Sequence, residues 1–273
     1  MGSGIAEVSA RAGLDVVVLD ADEAAVKAGR ERIEASLANA VRRGKLDDDK
    51  RTATLEALTF SSDIGALADR QLVVEAVTEH ESTKTAVFRT LDEVVEDPSA
   101  VLASNTSSIP IMKLGMATRR PDHVVGLHFF NPVPVLPLVE LVSSLVTSPE
   151  TSDETARFAA DVLGKHVIRS KDRAGFIVNA LLIPYLLSSI RMMESGFATA
   201  DDIDIGMVQG CAHPMGPLAL ADLIGLDTTM AVAQSLYEEF KEPLYAPPPL
   251  LCRMVEAGLL GRKSGRGFHT YER

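Results

Sequence analysis

Seven short runs rich in Val, Leu and Ile recur up to about residue 171, with stretches of helical spacing between them. They are DVVVLD (15–20), LTFSS (58–62), LVVEAV (72–77), VLASN (101–105), VVGLHFF (124–130), LVELV (138–142) and HVIRS (166–170). Runs this short suit strands covered by helices on both faces, so the first part of the chain is expected to be α/β with a mostly parallel sheet. Residues 22–50 instead show helical spacing with dense charge, and Gly44 marks a break, which predicts a helix, a turn and a second helix. After Lys171 the strand-like runs stop. Helical patterns at 175–195, 201–211, 217–240 and 249–258 take over, punctuated by Gly196, Pro214, Pro217 and Pro247 to Pro249. A second, all-helical domain is expected there.

Charge and cysteine content narrow the function classes. A net charge of -11 argues against a nucleic-acid partner, because attraction to a phosphate backbone needs a basic surface. Cys211 and Cys252 lie far apart without a His or Cys at metal-ligand spacing, so they read as core or surface thiols in a reducing compartment, and no metal is expected. The most apolar stretch, FIVNALLIPYLLSSI at 176–190, is interrupted by Asn179 and Pro184 and closed by Arg191, which favours a buried helix over a membrane span. The first residues show neither a cationic segment followed by an apolar one nor a myristoylation pattern, and a cytoplasmic location is expected.

A dinucleotide site needs a glycine-rich turn between a strand and a helix, so that backbone can approach the pyrophosphate at the helix N-terminus. Here Gly2 and Gly4 open a helical pattern, SGIAEVSARAG, that precedes the DVVVLD strand. Asp20 ends that strand eighteen residues after Gly2, where the fingerprint places the acid that reads the adenosine ribose. An Asp at a strand end also simply begins a turn. Gly2 can be the third glycine of the fingerprint only if a strand and two glycines preceded Met1. The residues Met1 to Gly4 are read either as an expression leader or, preferably, as a start assigned inside a longer gene product. A first strand is therefore expected to be missing from this chain, with weakened stability or cofactor binding.

Chemistry-bearing residues gather between 101 and 142. Oxidation of a secondary alcohol needs a base for the hydroxyl proton, and an imidazole titrates near working pH. His128 ends a predicted strand, at the sheet edge where doubly wound folds place ligands. Glu140 follows beyond a turn containing Pro132, Pro134 and Pro137 that can return the chain beside His128, and a carboxylate there would fix the imidazole tautomer. The competing readings are a satisfied histidine and a solvated acid. Ser107 reads by itself as a turn residue, and Asn179 as a polar group inside an apolar helix that needs a partner, a substrate carbonyl being one candidate. Ser36, Arg42, Arg43 and Lys45 lie on the charged helical segment, facing either a phosphorylated ligand or solvent.

The ordered set SGIAEVSARAG, VVEAVTE (73–79), SNTSS, HFFNP, GFIVNALLIPYL (175–186), HPMGPLALADLIGLD (213–227) and GRKSGRGF resembles, over the full length, the 3-hydroxyacyl-CoA dehydrogenase family, in particular its short bacterial 3-hydroxybutyryl-CoA members. The resemblance implies a Rossmann-type NAD-binding domain over 1–170 and a helical substrate and dimerisation domain over 171–273. It implies oxidation of an (S)-3-hydroxyacyl-CoA to the 3-ketoacyl-CoA with NAD, by a homodimer. It assigns His128 and Glu140 as a proton-transferring dyad, and Ser107 and Asn179 to the surroundings of the substrate's 3-oxygen. Glu79, Lys84, Ser107, Asn131 and Lys263 would line the cofactor site together with Gly2 and Asp20, and Ser36 and Arg43 would contact CoA. Two rivals remain: a non-catalytic homologue that keeps the fold, and a relative acting on free hydroxy acids or sugar acids.

Overall fold

Each of the seven apolar runs forms a strand in the structure, a computed structural model that describes residues 1–272. The chain divides into two compact units, Met1–Asp172 and Arg173–Arg273. In chain order the first unit comprises α1 (Gly2–Arg11), β1 (Val16–Leu19), α2 (Glu23–Arg42), α3 (Asp48–Glu56), β2 (Leu58–Ser61), β3 (Leu72–Glu75), α4 (Glu81–Val94), β4 (Val101–Ser104), α5 (Ile111–Gly115), β5 (Val124–Phe129), β6 (Leu138–Ser143), α6 (Pro149–Arg157) and β7 (His166–Lys171).

The strands fall into two sheets. β1 pairs in parallel with β2, and a second sheet runs in the order β3-β4-β5-β6-β7. Its pairs are parallel except β5 with β6, which is antiparallel. The expected absence of a first strand is not confirmed by this arrangement, since parallel strands are present and paired in both sheets. Helix α1 packs toward both. Ile5 joins the cluster that holds Val101, Ala103, Leu127, Val139 and Leu141, while Ala6 and Ala10 join Ile33, Leu37 and Leu58. Fully buried side chains of that size stabilise the fold by about 1.5–3 kcal/mol each.

The charged segment forms the expected pair of helices. The Asp22 carboxylate accepts from Ala25 N–H at the start of α2, and Asp47 accepts from Lys50 N–H at the start of α3, each satisfying an orphan amide of the first turn. Gly44 takes a positive φ of 66° in the turn between them.

In the second unit α7 (Val178–Glu194), α8 (Ala200–Cys211), α9 (Pro217–Ile224), α10 (Leu226–Phe240) and α11 (Pro249–Glu256) surround a core that includes Leu186, Leu187, Ile190, Leu218, Leu236 and Leu251. The helical pattern at 217–240 is two helices rather than one. Gly225 interrupts it with φ 103°, a conformation open to glycine alone, and Leu226 N–H turns away to the Leu260 carbonyl. α7 is not wholly buried either, because Leu181 is 73% exposed. Among the described residues no helix is long and apolar enough to cross a membrane.

The last turns of this unit are tied down by two carboxylates. Asp222 accepts from Phe268 N–H, His269 N–H and the Tyr271 hydroxyl. Asp204 caps α9 through Leu218 N–H and Ala219 N–H and contacts His269 Nε2 at 2.8 Å.

Candidate active site

β5 is buried along its whole length, and its alternation sorts side chains by face. Val125, Leu127 and Phe129 join the main apolar cluster, whereas Val124, Gly126 and His128 point to the other face. The turn containing Pro132, Pro134 and Pro137 returns the chain as β6, and Lys165 Nζ holds it by donating to the Val133 and Leu136 carbonyls. The resulting register sets Glu140 directly opposite His128 and Val142 opposite Gly126. A Cβ on Gly126 would lie 2.8 Å from Val142 Cβ and 2.9 Å from Ile111 Cδ1, so glycine is the residue that lets α5 close over β5 here.

His128 Nδ1 lies 2.8 Å from Glu140 Oε2, with Glu140 fully buried and His128 7% exposed. The Phe130 ring is tilted against the imidazole at 4.7 Å between centroids. β4 ends beside His128, since Ser104 pairs with Gly126 and Phe129 N–H donates to Asn105 Oδ1 at 2.9 Å. Ser107 therefore stands in the loop that leaves the sheet next to the histidine strand.

That loop is gathered by Glu79. Its Oε1 accepts from Thr106 Oγ1 (2.5 Å), Ser107 N–H (2.9 Å), Ser108 N–H (3.1 Å) and Ser108 Oγ (3.0 Å). Burial alone would raise the Glu79 pKa, but the Thr106 hydroxyl, the Lys84 ammonium and the Ser107 amide outweigh it and hold the carboxyl below the ordinary range. Lys84 is 1% exposed and sits behind Glu79, with Nζ 3.3 Å from Glu79 Oε2 and 2.7 Å from Glu75 Oε1. It is thus an interior cation, where the sequence suggested a residue lining the site.

The remaining expected residues are distributed as follows. Asp20 is exposed immediately after β1, its Oδ1 accepting from Ala21 N–H. Gly2 opens α1, where a Cβ would meet Ala76 Cβ at 3.7 Å, an ordinary contact. Asn131 is exposed at the start of the turn, before a cis bond to Pro132. Arg43 is exposed at the end of α2, while the Ser36 hydroxyl bonds the buried Glu7 of α1. In the second unit Asn179 is half-buried in the first turn of α7, not in the helix interior, so the helix ladder does not isolate its amide. Lys263 pairs with both oxygens of Asp227 at 2.6 and 2.5 Å. Sequence reasoning missed Glu75, Asn105, Thr106 and Ser108, although all four lie within the VVEAVTE and SNTSS motifs.

Comparison with known proteins places these motifs. Residues 1–173 match the family model for the 3-hydroxyacyl-CoA dehydrogenase NAD binding domain, and residues 175–271 match that for the 3-hydroxyacyl-CoA dehydrogenase C-terminal domain. The chain is 62% identical over 271 residues to a 3-hydroxybutyryl-CoA dehydrogenase of Mycobacterium tuberculosis, covering 99% of this chain and 95% of the relative. The crystal structure of M. tuberculosis FadB2 superposes with a TM-score of 0.99 at 62% identity, covering 100% of this chain and 95% of that one. The (S)-3-hydroxybutyryl-CoA dehydrogenase PaaH1 from Ralstonia eutropha gives 0.95 at 42% identity, covering 100% and 96%. With both of its units matched in order and nearly its whole length aligned, the chain belongs to the 3-hydroxyacyl-CoA dehydrogenase family.

Proposed function

We propose that this protein interconverts an (S)-3-hydroxyacyl-CoA, of which (S)-3-hydroxybutyryl-CoA is the leading candidate, and the 3-ketoacyl-CoA, using NAD, with His128 exchanging the proton at the 3-oxygen. The observation that carries this reading is the buried contact between His128 Nδ1 and Glu140 Oε2 at 2.8 Å. With a proton on Nδ1 donated to Glu140, the imidazole directs Nε2 to the substrate hydroxyl and takes its proton as the alcohol is oxidised. Glu140 fixes the ring and stabilises the imidazolium that forms. In the reducing direction the same ring returns the proton. When bound, NAD+ accepts the hydride from the substrate's C3.

The residues present suit a dinucleotide. α1 starts without a side-chain cap or an acidic residue in its first turn, which favours an anionic group there, and Gly2 adds no side chain at that point. Asp20, at the end of β1, would accept from a ribose hydroxyl and repel a 2′-phosphate, which favours NAD over NADP. Glu79, Ser107 and Asn131 at the sheet edge would hold the nicotinamide half, with Lys84 acting through Glu79, and the family resemblance also assigns Lys263 to the cofactor. Ser107 and Asn179 would orient the 3-oxygen, and Ser36 and Arg43 would meet CoA.

Two further elements belong to this reading. A homodimer would cover apolar surface of the helical unit, where Phe197 is 80% and Ile205 53% exposed. A cytoplasmic location suits the free thiols Cys211 and Cys252.

Acetoacetyl-CoA and free acetoacetate, each offered with NADH, test the reaction. Oxidation of NADH with the thioester and not the free acid supports the proposal; equal rates place the activity on free keto acids. Absence of NADH binding by this protein supports a non-catalytic homologue instead.

A further inference from the structure

The buried cations and anions beneath the Ser107 loop do not balance. Glu75, at the end of β3, has a side chain 1% exposed. Its Oε1 accepts from Lys84 Nζ at 2.7 Å and Val77 N–H at 2.6 Å, and its Oε2 accepts from Ser104 Oγ at 2.7 Å. Every one of these partners is a donor, which is the pattern of an ionised carboxylate. Glu79 is likewise surrounded by donors, and its side chain keeps 35% of its surface open. Among the described residues Lys84 is the one cation paired with these two acids, so the three together carry one negative charge in excess. The same bonds fix geometry, since Glu75 joins the ends of β3 and β4 through Ser104, and Ser104 Oγ in turn accepts from Thr106 N–H at 3.2 Å.

We propose that Glu75 is a positioning residue of the dehydrogenase whose charge, summed with those of Lys84 and Glu79, raises affinity for the oxidised nicotinamide relative to the reduced one. This rests on the reading that the cofactor's nicotinamide half binds at this sheet edge. The oxidised ring carries a positive charge that the reduced ring lacks. A fixed negative charge in a partly desolvated site therefore favours NAD+, and one unit of charge near such a ring changes the ratio of the two affinities by roughly three- to twentyfold. Glu75 is too deep to touch the ring, and it acts by holding Lys84 and the Ser107 loop and by its field.

The test is the ratio of dissociation constants for NAD+ and NADH in the full chain, from NADH fluorescence titration and its displacement by NAD+. Glu75→Gln neutralises the cluster and is expected to raise Kd(NAD+)/Kd(NADH) by roughly three- to twentyfold. Lys84→Met leaves two negative charges and is expected to lower the ratio, which keeps the proposal open to refutation if Glu75→Gln fails to fold. The double variant Glu75→Gln/Lys84→Met restores one negative charge and is expected to return the ratio to that of the wild type, even where both affinities weaken. Wild-type binding of NADH with ratios unmoved, or moved in the same direction by both single variants, overturns the charge assignment and leaves the proposed function standing. Lack of NADH binding by the wild type overturns the cofactor reading and this inference with it.

Discussion

The imidazole of His128 and the carboxylate of Glu140 are direct cross-strand partners, joined at 2.8 Å between Nδ1 and Oε2 in the interior of the first unit. The contact needs no long side-chain reach, because the antiparallel register of β5 and β6 sets both on one face. If Glu140 fixes the ring and stabilises its charged form, Glu140→Gln keeps the shape but loses the charge. Turnover of acetoacetyl-CoA is then expected to fall on the order of 10²- to 10⁴-fold while NADH affinity stays within a small factor. Steady-state kinetics beside NADH titration checks both.

Gly126 controls how closely α5 packs over that strand. Gly126→Ala inserts a methyl group against Val142 and Ile111, both fully buried, and overpacking of this kind destabilises by about 1–3 kcal/mol. Urea unfolding is expected to show that loss. Turnover should fall too, because the displaced strand carries His128 two residues later.

Glu7 in α1 is 1% exposed, and its Oε1 has no hydrogen-bond partner among the described residues. Burial raises its pKa, with the Ser36 hydroxyl and Arg11 only partly offsetting that. The folded state therefore holds this proton to higher pH than the unfolded chain does, so stability falls as pH rises from the ordinary carboxylate range through the raised value. Glu7→Gln removes that loss. Thermal melts between pH 4 and 8 should show the variant gaining on the wild type as pH rises, with the difference vanishing at the acid end.

Asp92 has the opposite sign. Burial would raise its pKa, but the Arg119 and Arg120 side chains at 2.8 and 2.9 Å, together with the Arg119 amide, hold it low. Its contribution is present above the ordinary carboxylate range and is lost as pH falls through the depressed value. Asp92→Asn is expected to lose about 2 kcal/mol near neutral pH, the scale of hydrogen bonds to a charged group, and less in acid. Denaturant midpoints at the two pH values decide it.

In the helical unit, burial and the Asp222 carboxylate push the Tyr271 hydroxyl up to about 12. Asp222→Asn is expected to bring it down toward the ordinary tyrosine value, visible as an earlier phenolate absorbance rise on alkaline titration. An unchanged titration curve would mean that the Asp222 contact does not persist in solution.

The strands were legible because each apolar run is buried by long-range packing that leaves a local compositional mark. The dyad was legible for a similar reason: the prolines at 132, 134 and 137 announce a return of the chain, and a return beside β5 brings Glu140 near His128. Strand pairing was less so. Two sheets instead of one depend on which distant strands find each other, which no local pattern records. Gly225 lies within a continuous helical pattern, and only its positive φ separates α9 from α10. Glu75 went unread in sequence and the burial of Lys84 was not foreseen, because nothing local tells an acid at a strand end that a lysine nine residues later will be buried against it. Asn179 was misjudged for the opposite reason: its apolar neighbours begin a helix of which it forms the first turn.

The most direct test of the central claim is NADH oxidation on adding acetoacetyl-CoA to the wild-type chain and to His128→Ala, with the configuration of the product determined at C3. The account predicts (S)-3-hydroxybutyryl-CoA from the wild type and a rate lower on the order of 10²- to 10⁴-fold from the variant, both proteins binding NADH. A His128→Ala protein that reduces acetoacetyl-CoA at the wild-type rate would contradict it.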